Sequence, residues 1–213
     1  MSTTASNYFG AKRIVPKYQI IASGSGTWSV PANIVDAVVW VTMVGGGGSG
    51  RVLTGSNGET HGGCGGEAIQ QVRYATGGGT GYTVGAGGTA NTTGDGVDGN
   101  ASTFGLLTCN GGSGGGTPVE DIVGTPGTVR DSTGILPPAS PGGPYGGQGG
   151  AWDEDHYGGG GGLILFTGTA IFGPSAVDGK GYGAGSGGLS ASGTTSAGHG
   201  GVIFLEWYEY ETD

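Results

Sequence analysis

The chain has 213 residues, 56 of them glycine, and only 11% of its residues are charged. Four Trp, nine Tyr and five Phe exclude a disordered low-complexity chain, and glycines in irregular runs exclude collagen, which needs one at every third position. A net charge of −9 and a pI near 4.5 argue against a nucleic-acid phosphate backbone as partner.

Residues 1–13 are polar, small and slightly basic and read as an arm. Tyr8, Phe9, Lys12 and Arg13 in it, with Lys17 just beyond, are the candidates for attachment to a partner. The arm holds no apolar core that would serve as a signal peptide, and no apolar run in the chain reaches the length of a membrane span. Synthesis in a cytoplasm is therefore expected, with Cys64 and Cys109 as thiols; their pairing after release stays open. Ile14–Ile21 reads as a strand whose Pro16 confines it to a sheet edge. We divide the chain into an arm and first strand over 1–23 and one glycine-rich β domain over 24–213.

Trp28-Ser-Val30-Pro31 alternates apolar and polar residues and ends on a proline turn. Val38–Val44 is a buried-strand pattern that runs straight into Gly45-Gly-Gly-Gly-Ser-Gly50. Glu67–Tyr74, bracketed by Gly-Gly pairs, reads as a strand in preference to a short helix, and Tyr82–Gly85 and Ser102–Cys109 are shorter strands. Val119–Val123 and Leu163–Phe166 are further apolar islands, and the proline-rich 137–144 stretch is expected to be extended. At the end, Gly198–Gly201 opens into Val202–Tyr208, glycine first and strand second. No segment carries a helical period, so the chain is predicted to be all-β: a β-sandwich with glycine-rich, polyproline-II-like strands and long loops.

Pairing the Val38 strand antiparallel with the Val202 strand puts the glycine runs at one end of the sheet and both termini at the other. Everything between Gly45 and Gly201 would then leave from the glycine end. Each glycine costs roughly 0.5–1 kcal/mol more than alanine to order, a debt that extended three-per-turn strands offset by lying side by side and hydrogen-bonding to neighbours. A bundle of such strands is the expectation.

Gly26-Thr-Trp-Ser-Val-Pro31 leading into Val38–Gly48, Tyr82-Thr-Val-Gly-Ala-Gly-Gly88, Ser102-Thr-Phe-Gly105 and Gly200-Gly-Val-Ile-Phe-Leu-Glu-Trp207 together resemble the glycine-rich virion proteins of tailed bacteriophages, of the tail-fibre or tail-associated type. The resemblance covers residue 24 to the end. It implies a jelly-roll-like β-sandwich, a place on the virus particle after synthesis in the host bacterial cytoplasm, other virion proteins as partners, and assembly as a homo-oligomer, with a trimer as first expectation. It carries over no catalytic residue.

Trp152-Asp-Glu-Asp-His-Tyr157 stands out locally, with Asp153, Glu154, Asp155 and His156 held between two aromatics among glycines. Aromatic anchors rimmed by polar groups suit a binding surface, so this cluster, with Tyr145 and Tyr182, is the candidate contact with a bacterial cell-surface receptor. The alternative is a solvated loop, and a carboxylate-bound cation is a further reading. Asp95-Gly-Val-Asp98-Gly-Asn100 has part of a calcium-loop pattern, for which a plain turn is the simpler account. Gly173–Gly181 fails the spacing of a phosphate loop, and His61, His156 and His199 share no ligand spacing. We expect no cofactor, no metal and no enzymatic activity, since no acid/base pair or nucleophile arrangement appears. Competing readings are a capsid-decorating or baseplate protein without receptor contact, and a monomeric glycine bundle that binds ice or carbohydrate.

Overall fold

The computed structural model describes residues 13–52, 62–75, 77–116, 129–131, 134–136, 182–186, 195 and 197–211. Ten strands and no helix appear among them: β1 (Arg13–Ile21), β2 (Ser25–Ser29), β3 (Ile34–Val44), β4 (Ala68–Tyr74), β5 (Gly79–Thr83), β6 (Ser102–Phe104), β7 (Leu107–Cys109), β8 (Val129–Asp131), β9 (Gly134–Leu136) and β10 (Val202–Glu211). They form a six-stranded sheet in the order β1-β10-β3-β4-β8-β9 and a four-stranded sheet in the order β2-β5-β6-β7. All pairs are antiparallel except β4 with β8.

The two apolar runs at the ends of the glycine body do pair. Val202 lies opposite Val44 and Trp207 opposite Val39, so the glycines that follow β3 and those that precede β10 share one end. At the other end Arg13 lies opposite Glu211, because β1 pairs antiparallel with β10. Pro16 sits in β1, an edge strand of its sheet, where its missing N–H costs no ladder bond. β3 starts earlier than its apolar run. The register with β10 shifts between Trp207 and Glu209, and the extra β3 residues include Asp36 and Ala37, both at φ 53°, the left-handed region that a bulge exploits.

Alternation along the strands builds the core. Val39, Val41, Met43, Ile203, Leu205 and Trp207 of the larger sheet meet Trp28, Phe104, Leu107 and Cys109 of the smaller one. Trp28 is the hinge of this packing, with its ring 5.9 Å from Phe104 and 5.7 Å, edge-on, from Trp207. Two sheets facing across a shared apolar layer is the sandwich expected from the pattern.

Beyond the sandwich the chain continues as glycine-rich segments, and their hydrogen bonds define the second half of the fold. The 45–50 segment lies in the middle. Gly45 and Gly48 donate to the carbonyls of Glu67 and Cys64, Gly46 and Ser49 to those of Asn100 and Val97, and Gly47 to that of His199, each at 2.9 Å. A repeat of partners every third residue is that of a helix with three residues per turn, whose successive N–H groups point a third of a turn apart. The carbonyls of the same segment accept from three other directions: from Gly112 and Gly115, from Gly88, and from Ser186. Six segments therefore surround one.

The surrounding segments also bond to one another in a closed ring. The 62–67 segment bonds to 183–186 through Gly63 and Gly66, and 183–186 to 198–201 through Gly183 and His199. Gly198 and Gly201 continue to 85–88, Asn100 joins 85–88 to 96–100, Gly96 and Gly99 reach 110–115, and Cys64 and Glu67 close the ring at Ser113 and Asn110. The anticipated bundle of polyproline-II-like strands is thus a hexagonal one, with donors and acceptors alternating around its centre.

One expectation needs correcting. The chain between Gly45 and Gly201 does not simply leave the sheet: β4 returns to the larger sheet, and β5, β6 and β7 build the smaller one. Among the described residues, six of the seven bundle segments are continuations of sandwich strands, the exception being 183–186. A glycine segment needs this arrangement, because it has no side chain with which to choose a partner. Its place is decided by the β-strand that feeds it.

Candidate functional site

The molecule has two chemically different ends. At the terminal end, charged and polar side chains tie β1 and the turn before β3 to β10. Lys17 Nζ lies 3.3 Å from Glu211 Oε1, an ion pair between the basic start of the chain and its acidic last strand. Asn33 Nδ2 donates to the Tyr210 carbonyl at 2.9 Å and to Glu209 Oε2 at 3.3 Å, while the Trp207 indole N–H donates to Glu209 Oε1 at 2.7 Å. Arg13 is exposed at the start of β1. Tyr8, Phe9 and Lys12, the remaining attachment candidates, lie outside the described residues.

At the bundle end the described interior is packed backbone against backbone. A Cβ added to Gly45, Gly46, Gly47 or Gly48 would fall on the carbonyls of Asn110, Ala86, Ala184 and Ser113 respectively, so these positions admit no side chain. Three buried serines fit where short hydroxyls replace backbone partners. Ser186 Oγ accepts from Gly50 N–H at 2.8 Å, Ser49 Oγ from Val97 N–H at 2.8 Å, and Ser102 Oγ both donates to the Val44 carbonyl at 2.7 Å and accepts from Gly85 N–H at 2.9 Å. Ser102 thereby links β6 and β3 to the bundle at the plane where the two halves meet. Glu67, also at that plane, accepts from the Asn110 backbone and side-chain N–H groups at 3.0 Å each.

The described part of the far rim of the bundle carries a cluster of polar side chains. Arg51 Nε lies 3.2 Å from Asp95 Oδ1, Val52 and Gly94 exchange two backbone bonds, and Asn91 Nδ2 donates to the carbonyls of Gly94 and Asp95. Both carboxylates of the Asp95–Asn100 stretch have partners within the protein. Asp98 Oδ1 accepts from Gly114 N–H at 2.7 Å, and 96–100 is a segment of the ring instead of the turn expected there. No group of three or more His, Cys, Asp or Glu residues suited to a metal is found among the described residues. Cys64 and Cys109 are thiols, and the Cys109 S–H donates to the Met43 carbonyl at 3.2 Å.

Of the receptor-contact candidates only Tyr182 is described. It is half-buried at the junction, packed with Ile20, Ala68 and Phe204 on the small apolar cluster of Val44 and Val202, on the side of the larger sheet away from the core. Tyr145, Trp152, Asp153, Glu154, Asp155, His156 and Tyr157 lie outside the described residues, as do His61 and the 173–181 stretch. No known protein-family model matches the chain, and no curated protein matches it.

Proposed function

We propose that this protein is a structural and adhesive component of a bacteriophage virion, a tail-fibre or tail-tip part that is held by its terminal end and presents the glycine bundle outward. The observation that carries the reading is the polarity of the fold. Both described chain ends, Arg13 and Glu211, sit opposite each other at one end of the sandwich, and the bundle extends from the other. A protein built to be anchored and to project needs that separation. Backbone packing without side chains also gives a stiff body whose bonding capacity is spent internally, so recognition falls to side chains at its rim and loops. In this reading contact with a bacterial surface receptor rests on Tyr145 and the Trp152–Tyr157 cluster, because Tyr182 is taken up in the small apolar cluster at the junction, and the anchored chains form a symmetric homo-oligomer, a trimer by resemblance.

The test is antibody-gold electron microscopy of particles in the source lysate, with serum raised against the purified chain. Gold at the tail end is expected. Gold over the capsid would replace adhesion with a decorating role, and unlabelled particles beside free protein would overturn the virion reading. Where the tail is labelled, joint replacement of Trp152 and Tyr157 by alanine is expected to lower adsorption to host cells.

A further inference from the structure

The face of the larger sheet turned away from the core carries a group of side chains that the proposed function does not use. Strand register places Tyr18 of β1, Glu206 of β10 and Trp40 of β3 side by side in one row. Along β10 the residues two before and two after Glu206, which share its face, are Phe204 and Tyr208. One carboxylate thus has four aromatic residues as neighbours on its face of the sheet. The rings are paired around it: Tyr18 lies 6.0 Å from Phe204, and Trp40 meets Tyr208 edge-on at 5.6 Å with an interplanar angle of 85°. Tyr18, Trp40 and Tyr208 line a groove of about 280 Å³ together with Glu206, Pro16, Lys17 and Trp207. Tyr18 is 64% exposed and Tyr208 44%.

Glu206 is exposed, and among the described residues no side chain is hydrogen-bonded or ion-paired to it. The nearest cation in the groove lining, Lys17, is engaged with Glu211. A sheet face that merely met water would not need three rings beside a charge, and an interface core would not keep the charge. What the two have in common is attraction for a cation: ring faces are the negative part of the aromatic quadrupole, and the carboxylate adds a full charge.

We infer that this groove is a binding site for a quaternary ammonium group of the choline type. The choice of cation follows from the hydrogen-bonding inventory. A primary ammonium brings three N–H donors that must each find an acceptor, and the groove supplies one carboxylate amid apolar ring surface. A quaternary ammonium has no N–H to satisfy and spreads its charge over methyl groups, which rest against ring faces while the carboxylate balances the charge. The site needs no oligomer and no particle, so its fate is independent of the virion reading.

The test is titration of the full chain with choline, followed by calorimetry and by the NMR signal of the Trp40 indole N–H. A saturable shift of that signal is expected, with N-acetyl-lysine methylamide and the neutral choline isostere 3,3-dimethylbutanol both binding more weakly. Trp40→Ala and Tyr18→Ala are each expected to weaken choline about two- to fivefold, the value of one exposed cation–π contact, and Glu206→Gln to weaken choline while leaving dimethylbutanol unchanged. Tyr18→Ala lies on an exposed edge strand and keeps the test intact if Trp40→Ala does not fold. Absence of a saturable shift, equal binding of the neutral isostere, tighter binding of the lysine probe, or unchanged choline affinity in the folded ring variants would each overturn the site.

Discussion

The sandwich and the bundle solve the same problem by opposite means. In the sandwich, strands are held apart by side chains, and the gap is filled by Trp28, Met43, Ile203, Leu205 and their neighbours; stability there comes from apolar burial, roughly 25 cal/mol per Å². In the bundle the strands touch through their backbones, and stability comes from hydrogen bonds whose net worth is about 0.5–1.5 kcal/mol each. The same residue, glycine, that would weaken a β-strand is what allows this close approach. Substitution should therefore obey opposite rules in the two halves: removing atoms harms the sandwich, adding them harms the bundle.

The largest effect is expected in the sandwich. Trp28→Ala removes the ring that touches both Phe104 and Trp207 and should cost about 4 kcal/mol, read as a lower midpoint in urea unfolding. Next comes Gly47→Ala in the central segment, whose added methyl would meet the Ala184 carbonyl. It should cost about 3 kcal/mol, although a single methyl is being gained. With Trp152 replaced by phenylalanine, tryptophan fluorescence reports the sandwich through Trp28, Trp40 and Trp207 and far-ultraviolet dichroism both halves, so this variant also asks whether the halves are separate. Because six bundle segments continue from sandwich strands, the two signals should shift together; a fluorescence transition left at its original midpoint would show two independent units.

A smaller effect is expected where the halves meet. Ser102→Ala strands the buried Val44 carbonyl and Gly85 N–H that its hydroxyl now serves, for a cost of about 2 kcal/mol. The amide of Gly85 should then exchange with solvent faster than those of Gly46 and Gly47, whose partners are unchanged. Uniform exchange across the bundle would mean that Ser102 is incidental to the junction.

Much of this was legible in the chain. The runs Val38–Val44 and Val202–Tyr208 are apolar enough to be strands, and Pro16 has only an edge to occupy. Glycine with nothing to bury must spend its backbone bonds on neighbours, so a bundle followed from composition. What was not legible is which segment neighbours which. The 96–100 stretch reads as a turn because Asp, Gly and Asn are turn residues, yet it forms a wall of the ring through Gly96, Gly99 and Asn100. Nor does anything in Gly45–Gly50 mark it as the centre.

The same division holds for the ammonium groove. The Val202–Tyr208 run reads as a strand and holds Phe204, Glu206 and Tyr208, while Tyr18 and Trp40 stand far from it along the chain and reach Glu206 only through the register of β1 and β3 on β10. Sequence by itself determined the kinds of strand this protein has, because side-chain pattern and glycine content act locally. Tertiary structure alone decided their neighbours, because backbone bonds between glycine segments are chemically alike and take their order from the sandwich strands that lead into them.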